Sequence, residues 1–398
     1  MTAALVARTR AFVRDAVMPA EPPAGVGLGA DARAALQEQA RQAGVFAPLG
    51  PAGLGGQGLP LREWSPVLQE AGYSVIGPAV LNCMAPDEGN MHLLERIGSP
   101  LQHERYLAPL VAGRFRSCFA MTEPHPGAGS DPAALATTAR RVTGGWVIDG
   151  EKRFISGADE ADVAIVMART PELGEAAASL FLVPLSADGV VVGHAIRTLE
   201  TAIAGGHPHV SFESCFVPDV DVLGAPGEAF RHVQVRLGPA RLTHCMRWLG
   251  LARRAHDTAL DRVRSRELFG QPLGELGIAQ AQLADSEIDL ATASATIDWA
   301  VEALERDPRE GANASSIAKV HCSEAVSRVI DRAMQLCGGD GVTLELPLLA
   351  FANEVRPFRV YDGSSETHRW AIARRAVKRR ARDREGGAPA LDIPEGGR

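Results

Sequence analysis

Along most of the chain apolar residues recur at intervals of three and four, the signature of helices with one buried face. Up to about residue 117 this helical period is interrupted by loops at 19–29, 48–60 and 82–90, each rich in Gly, Pro or Asn. The segment 33–44, rich in Ala, Leu and Gln, predicts a helix ending on Gly44. From Cys118 to about Leu223 the pattern changes to short β-type runs at 163–167, 180–183, 190–192 and 210–212. The runs 146–148 and 152–155, separated by Asp149-Gly150, predict a hairpin with an Asp-Gly turn. After Pro226 the helical period returns, with Leu242, Cys245, Met246, Leu249, Ala252, His256, Ala259, Leu260 and Val263 on one stripe. Helices are also predicted over 281–305, 312–336 and 365–382. The chain is therefore divided into a helical segment 1–117, a β segment 118–223, a helical segment 224–384 and a Gly/Pro-containing tail, 385–398, expected to be disordered. The strand–helix alternation of a parallel sheet is missing, which argues against a Rossmann architecture.

Composition narrows the setting. The chain has 398 residues, 46% of them hydrophobic, and a formal charge of −7, which argues against a nucleic-acid or anionic-membrane partner. No apolar run approaches the roughly 20 residues a membrane span needs. The amphipathic start, MTAALVARTRAFVRDAV, lacks the apolar core of a secretory signal. Six scattered cysteines without a C-x-x-C pair fit reduced thiols in a cytoplasmic protein. Only three of the 41 basic residues are lysines, Lys152, Lys319 and Lys378, a skew that reads as genome composition.

Candidate chemistry is concentrated in a few segments. In CFAMTEPHPGAGSD (118–131), Gly127, Gly129 and Ser130 can present backbone N–H groups and a hydroxyl to a phosphate, or form a plain turn. The Gly-rich GLGGQG at 53–58 has no strand ahead of it and reads as a tight structural loop. His207-Pro-His209 lacks further ligands at metal spacing and reads as the entry to a strand, leaving no metal site. No G-x-S-x-G elbow supports a hydrolase. QLCGGDG (335–341) reads as a helix C-cap that also permits close approach of another molecule. In YDGSSETH (361–368), Ser364 or Ser365 with Glu366 can cap the final helix.

Taken together, FAMTEP…GAGSD, WVIDGEKRFISGA, SRELFGQPL, QLCGGDG and YDGSSE resemble the acyl-CoA dehydrogenase family, in its order and spacing. NCMAPDEGNMHLLERIGS and RLGPARLTHCMRWLGLARRA are similar to the branch whose large animal members carry a kinase-like domain and act on longer or hydroxylated acyl chains. The resemblance implies an α+β, mainly helical fold: an N-terminal helical domain, a middle β-barrel-like domain and a C-terminal four-helix bundle. It also implies an FAD-dependent oxidoreductase of fatty acid and lipid metabolism, passing electrons to an electron-transfer flavoprotein. Phe119, Met121 and Thr122 would line the flavin, Gly129 and Ser130 would hold pyrophosphate, and Phe154, Ile155 and Ser156 stand where the family usually has Trp-Ile-Thr. Arg266, Phe269, Gln335, Gly338 and Gly339 would reach the FAD of a neighbouring subunit, which implies a homodimer or homotetramer. Ser364, Ser365 and Glu366 would meet its adenosine-pyrophosphate side at a helix start.

By the same resemblance Asp362 is the catalytic base, removing the α-proton of an acyl-CoA while the β-hydrogen leaves as hydride to flavin N5, to give the trans-2-enoyl-CoA. Ser130, Arg241 and Gly363 would contact substrate. Most of the family has Glu at this position, and the shorter Asp implies a compensated geometry. Ala240 leaves no rival carboxylate at the position some relatives use, while Gly238 and Gly277 each replace a family polar residue. A dry pocket is expected to raise the pKa of Asp362. An acyl-CoA oxidase, a flavin monooxygenase on the same scaffold and a non-catalytic flavoprotein subunit are the alternatives.

Overall fold

The computed structural model describes residues 2–201 and 206–385. The N-terminal segment is helical, with α1 (Thr2–Phe12), α2 (Ala30–Gln42), α3 (Trp64–Gly72) and α4 (Asp87–Ile97) among its elements. The helix α4 starts inside the loop expected at 82–90. Asp87 and Glu88 occupy its first turn, where carboxylates favour the helix dipole.

Eight strands follow: β1 (Ser117–Ala120), β2 (Thr138–Val142), β3 (Gly145–Lys152), β4 (Val163–Arg169), β5 (Ala178–Pro184), β6 (Val190–Ala195), β7 (Pro208–Pro218) and β8 (Val222–Leu223). They form one sheet in the order β6-β7-β3-β2-β4-β5-β8, and β1 runs parallel to β4 on the edge that β4 shares with β2. The hairpin expected at Asp149-Gly150 is not there. Residues 145–152 form one continuous strand along β7, with a register irregularity between Ile148 and Gly150. Gly150 sits at φ +146°, a bulge conformation, and the Asp149 carboxylate accepts a hydrogen bond from the Ser214 N–H at 2.7 Å. The turn lies earlier, at Gly144, between β2 and β3. Alternate residues of β4 enter two different cores, Val163, Ile165 and Met167 facing the helical layers, and Ala164, Val166 and Ala168 packing with Trp146, Phe181 and Phe212. Both faces are buried, so the strand reads as a continuous apolar run.

The C-terminal segment is built on α5 (Ala229–Ser265), α6 (Gly277–Arg306), α7 (Pro308–Cys337), the short α8 (Leu348–Val355) and α9 (Ser365–Glu385). The predicted helices over 281–305, 312–336 and 365–382 all lie inside these elements; α8 had no counterpart in the sequence reading. A crossing of α5 with α3 ties the two helical segments together. A β-carbon on Gly72 would run into the Arg247 carbonyl, and one on Gly250 into that of Gln69, so only glycine permits this approach. Past Glu385 the tail expected to be disordered lies outside the described residues.

Candidate active site

The loop between α8 and α9 carries Asp362 at φ +51° and Gly363 at φ +91°. An aspartate tolerates this left-handed region better than most residues, yet it adopts it only where its surroundings hold it. Three elements do so. His368 Nε2 on α9 and Arg241 Nε on α5 donate to the Asp362 carbonyl at 2.9 and 3.3 Å, and Lys319 Nζ on α7 donates to the Gly363 carbonyl at 2.7 Å. The backbone is thus fixed and the carboxylate turns inward, where its Oδ2 lies 3.4 Å from His244 Nε2. Trp248 Nε1 donates to the neighbouring Tyr361 hydroxyl at 2.6 Å, and the Tyr361 and His244 ring centroids are 4.7 Å apart.

The expectation of a raised Asp362 pKa is reversed. Burial pushes the carboxyl up, but the His244 hydrogen bond and the guanidiniums of Arg236 and Arg241 outweigh it and hold the group well below the usual carboxylate range. The dry pocket expected around it is lined by the cations Arg236 and Arg241. Burial lowers Lys319 to about 8 and His368 to about 4. Arg236 is itself buried, donating to Asn90 Oδ1 at 2.8 Å with its guanidinium 4.2 Å from the Phe119 ring centroid.

Behind His244 stands a second buried layer. Arg247 reaches His244 Nδ1 at 3.1 Å with one terminal nitrogen, and Glu88 Oε1 at 3.0 Å and the Cys83 carbonyl at 2.9 Å with the other. Thr243 Oγ1 donates to the same Glu88 oxygen at 2.6 Å. Residues Glu88, Asn90, Arg236, His244, Arg247 and Lys319 were not singled out by the sequence reading. The available signal was polar residues, Thr243, His244 and Arg247, interleaved with the apolar stripe of α5.

The flavin residues implied by resemblance fall into separate groups. Phe119 lies at the end of β1, and the Thr122 carbonyl accepts a hydrogen bond from the Arg153 N–H at 2.8 Å, joining 119–122 to 154–156. Phe154, at φ +57°, is half exposed. The Ser156 hydroxyl is paired with His207 Nδ1 at 2.9 Å, and His207 Nε2 lies 3.0 Å from Glu200, which accounts for the first histidine of His207-Pro-His209. Among the described residues no group of three or more His, Cys, Asp or Glu is placed to hold a metal ion. Gly129 has open space where a β-carbon would lie, and its loop is pinned by Glu123, which accepts from the backbone N–H groups of Ala128, Ala136 and Thr137. Elsewhere Arg266, Gln335, Gly338 and Gly339 line one open cleft of about 320 Å³ between α5, α6 and α7, and Phe269 stands 92% exposed at the end of the adjoining hairpin. Ser364 is the N-cap of α9, its hydroxyl accepting from the Thr367 N–H at 3.2 Å. The Ser365 hydroxyl beside it is buried without a partner, and Glu366 is exposed.

Open glycine backbones at 129, 338 and 339 and an orphaned hydroxyl at a helix start fit an anionic dinucleotide. No helix among the described residues is long and apolar enough to cross a membrane.

Comparison with known proteins agrees with this architecture. Residues 2–114, 118–215 and 227–377 match the family models for the N-terminal, middle and C-terminal domains of acyl-CoA dehydrogenase. The Mycobacterium tuberculosis protein "Probable acyl-CoA dehydrogenase FadE2" is 36% identical over 330 residues, covering 81% of this chain and 80% of that protein. Mouse acyl-CoA dehydrogenase family member 10 is 34% identical over 89% of this chain, which spans only 34% of that longer protein. Among solved structures, a "putative acyl-CoA dehydrogenase" from Mycobacterium abscessus superposes with a TM-score of 0.86 at 33% identity, over 95% of this chain and 98% of that one. A Mycobacterium smegmatis glutaryl-CoA dehydrogenase in complex with FADH2 superposes with a TM-score of 0.83 at 25% identity, over 95% and 94% of the two chains. With all three segments matched in order, the chain belongs to the acyl-CoA dehydrogenase family, whose members are FAD-dependent oxidoreductases.

Proposed function

We propose that this chain catalyses the α,β-desaturation of an acyl-CoA thioester to the trans-2-enoyl-CoA, with Asp362 as the base. The observation that carries this reading is the Asp362 carboxylate, held in a strained loop by donors from α5, α7 and α9 and kept ionised by Arg236, Arg241 and His244. An ionised carboxylate in a fixed place can take the α-proton: the Cα–H bond breaks and an O–H bond forms on Asp362. FAD, when bound, would supply the acceptor for the β-hydride. Phe119, Met121, Thr122, Phe154, Ile155 and Ser156 would line its ring system, and Gly129 and Ser130 its pyrophosphate. Ser130, Arg241 and Gly363 would meet the substrate. The Asp362 N–H would steady the thioester oxygen as negative charge develops there.

The cleft at Arg266, Gln335, Gly338 and Gly339, with Phe269 exposed beside it, is the surface that would meet a neighbouring subunit's FAD in a homodimer or homotetramer. Ser364, Ser365 and Glu366 would face its adenosine-pyrophosphate side. An electron-transfer flavoprotein is the expected electron acceptor. The six cysteines are all buried free thiols, which supports a reducing, cytoplasmic setting.

Anaerobic titration of the flavin spectrum with saturated acyl-CoAs of graded length, with and without a 4-hydroxyl, tests the reading. Bleaching by at least one of them, abolished in Asp362→Ala, is expected. No bleaching by any, or an Asp362→Ala protein that bleaches at the wild-type rate, overturns it.

A further inference from the structure

The side chain of Asp362 is one methylene shorter than the usual glutamate, and the structure shows what stands against it. His244 Nε2 lies 3.4 Å from Asp362 Oδ2, and the ring is packed against Tyr361 and Phe358 at centroid distances of 4.7 and 5.9 Å. Its other nitrogen, Nδ1, is 3.1 Å from a terminal nitrogen of Arg247. Arginine has donors only, so Nδ1 must accept and the single proton of a neutral ring must sit on Nε2, facing the carboxylate. Arg247 cannot turn away, because it is fully buried and its other terminal nitrogen is held by Glu88 and the Cys83 carbonyl. Burial and the adjacent Arg247 lower the His244 pKa against the raising contacts of Asp362 and Glu88, the same direction as the neutral ring that the Arg247 contact requires.

From this chain of contacts we infer that His244 is the positioning residue of the base: it fixes one oxygen of Asp362 through an Nε2–H whose tautomer is imposed by Arg247 and Glu88, leaving the other oxygen free for the α-proton. The inference rests on Asp362 being the base. His244 gives up no proton in the step; it donates a hydrogen bond before the transfer and after it. The contact is long here, as such bonds often are before substrate closes the site. The groups facing Asp362 are His244, Arg236 and Arg241 from α5, Lys319 from α7, His368 from α9 and, through Arg247, Glu88 from α4. Of these, neutral His244 is the one that touches the carboxylate itself, so its removal should alter orientation and proton affinity together.

The test uses the FAD-loaded enzyme with the most active acyl-CoA from the titration. His244→Leu should lower kcat about tenfold or more while leaving KM for acyl-CoA and FAD content unchanged, since misplacement by about 1 Å carries a cost of that order or larger. The acid limb of the kcat–pH profile should move to higher pH, because an Asp362 without its donor binds its proton more tightly. His244→Gln, which restores an N–H near the Nε2 position, should return the acid limb towards wild type. Nitrogen NMR of histidine-labelled wild-type enzyme, assigned through His244→Gln, should show a neutral ring protonated on Nε2 at pH 7, a readout that needs no activity. A cationic ring, a proton on Nδ1, or a His244→Leu enzyme with unchanged kcat and acid limb overturns the inference. If His244→Leu does not fold, the tautomer and the His244→Gln profile decide it. Asp362→Asn in parallel separates the two levels: an inactive Asp362→Asn with an unaltered His244→Leu removes only the positioning role, whereas an active Asp362→Asn removes the base assignment itself.

Discussion

The ammonium of Lys152 lies 2.8 Å from Oε1 of Glu123, and neither side chain is more than 2% exposed. Lys152 also donates to the carbonyls of Met121 and Met167 at 3.2 and 2.7 Å. The pair binds the start of the GAGSD loop to β3 and β4, so the placement of Gly129 and Ser130 depends on two charges withdrawn from water. Removing one charge of such a pair strands the other. Glu123→Gln should therefore lose about 3–5 kcal/mol in urea denaturation, and the protein that remains folded should retain less FAD.

Acid should act on the same pair. Burial raises the Glu123 carboxyl, but Lys152 and the hydrogen bonds from Thr137 and Ala128 outweigh it, and the group ends at about 2 against an ordinary 4.5. A depressed folded-state pKa gives stability that is complete above the unfolded value and is lost as pH falls towards the folded one. The urea midpoint of the wild type should fall between pH 4.5 and pH 2, the window set by those two values. Glu123→Gln should fall less over this window, and parallel curves for the two proteins would contradict the assignment.

Gly363 makes a sharper demand on the active-site loop. Its φ of +91° belongs to glycine, and a β-carbon there would lie 2.7 Å from His368 Nε2, the group that donates to the Asp362 carbonyl. Gly363→Ala should cost more than about 1 kcal/mol by thermal or urea denaturation, since strain adds to the backbone term. It should also slow flavin bleaching, because the displaced histidine no longer holds Asp362. Wild-type stability with wild-type bleaching would show that the loop tolerates the side chain.

How much of this was legible in the sequence depends on what each interaction leaves in the pattern. The long helices were, because the stripe from Leu242 to Val263 is periodic and the glycines and prolines that stop helices are local signals. The turn at Asp149-Gly150 was misplaced because a bulge and a hairpin use the same residues. Only the long pairing of β3 with β7 separates the two. Asp362 was singled out by resemblance as the proposed base, and the direction of its pKa was not legible. That direction depends on Arg236, Arg241 and His244, all on α5 and more than 100 positions away, and no local spacing joins α5 to the loop before α9. Glu88 and Arg247 were hidden for the same reason, since their partnership exists only where α4 crosses α5.

Lengthening the proposed base tests whether the site is built around aspartate. In Asp362→Glu the carboxylate would extend by one methylene into the space between His244, Arg236 and Arg241. Displacement of a reacting group by about 1 Å commonly costs on the order of 10²-fold. Asp362→Glu should therefore bleach the flavin ten- to a hundredfold more slowly, on the order of that penalty, with FAD content unchanged. Equal or faster bleaching would mean that the surrounding cations set no length for the base.

Phe269 is 92% exposed at φ +53°, in the hairpin that links α5 to α6, and Ile278 nearby is 75% exposed. Both adjoin the cleft formed by Arg266, Gln335, Gly338 and Gly339. An aromatic ring held out in water by a left-handed backbone gains nothing in a monomer, whereas burial of such a ring contributes about 1.5–3 kcal/mol. Two copies of each site in a symmetric dimer would gain that twice. Phe269→Asp should shift the protein towards monomer by light scattering and release FAD more readily, while its circular dichroism stays that of the wild type. A wild-type protein that is monomeric at micromolar concentration and still retains FAD would show that the cofactor site is complete within one chain.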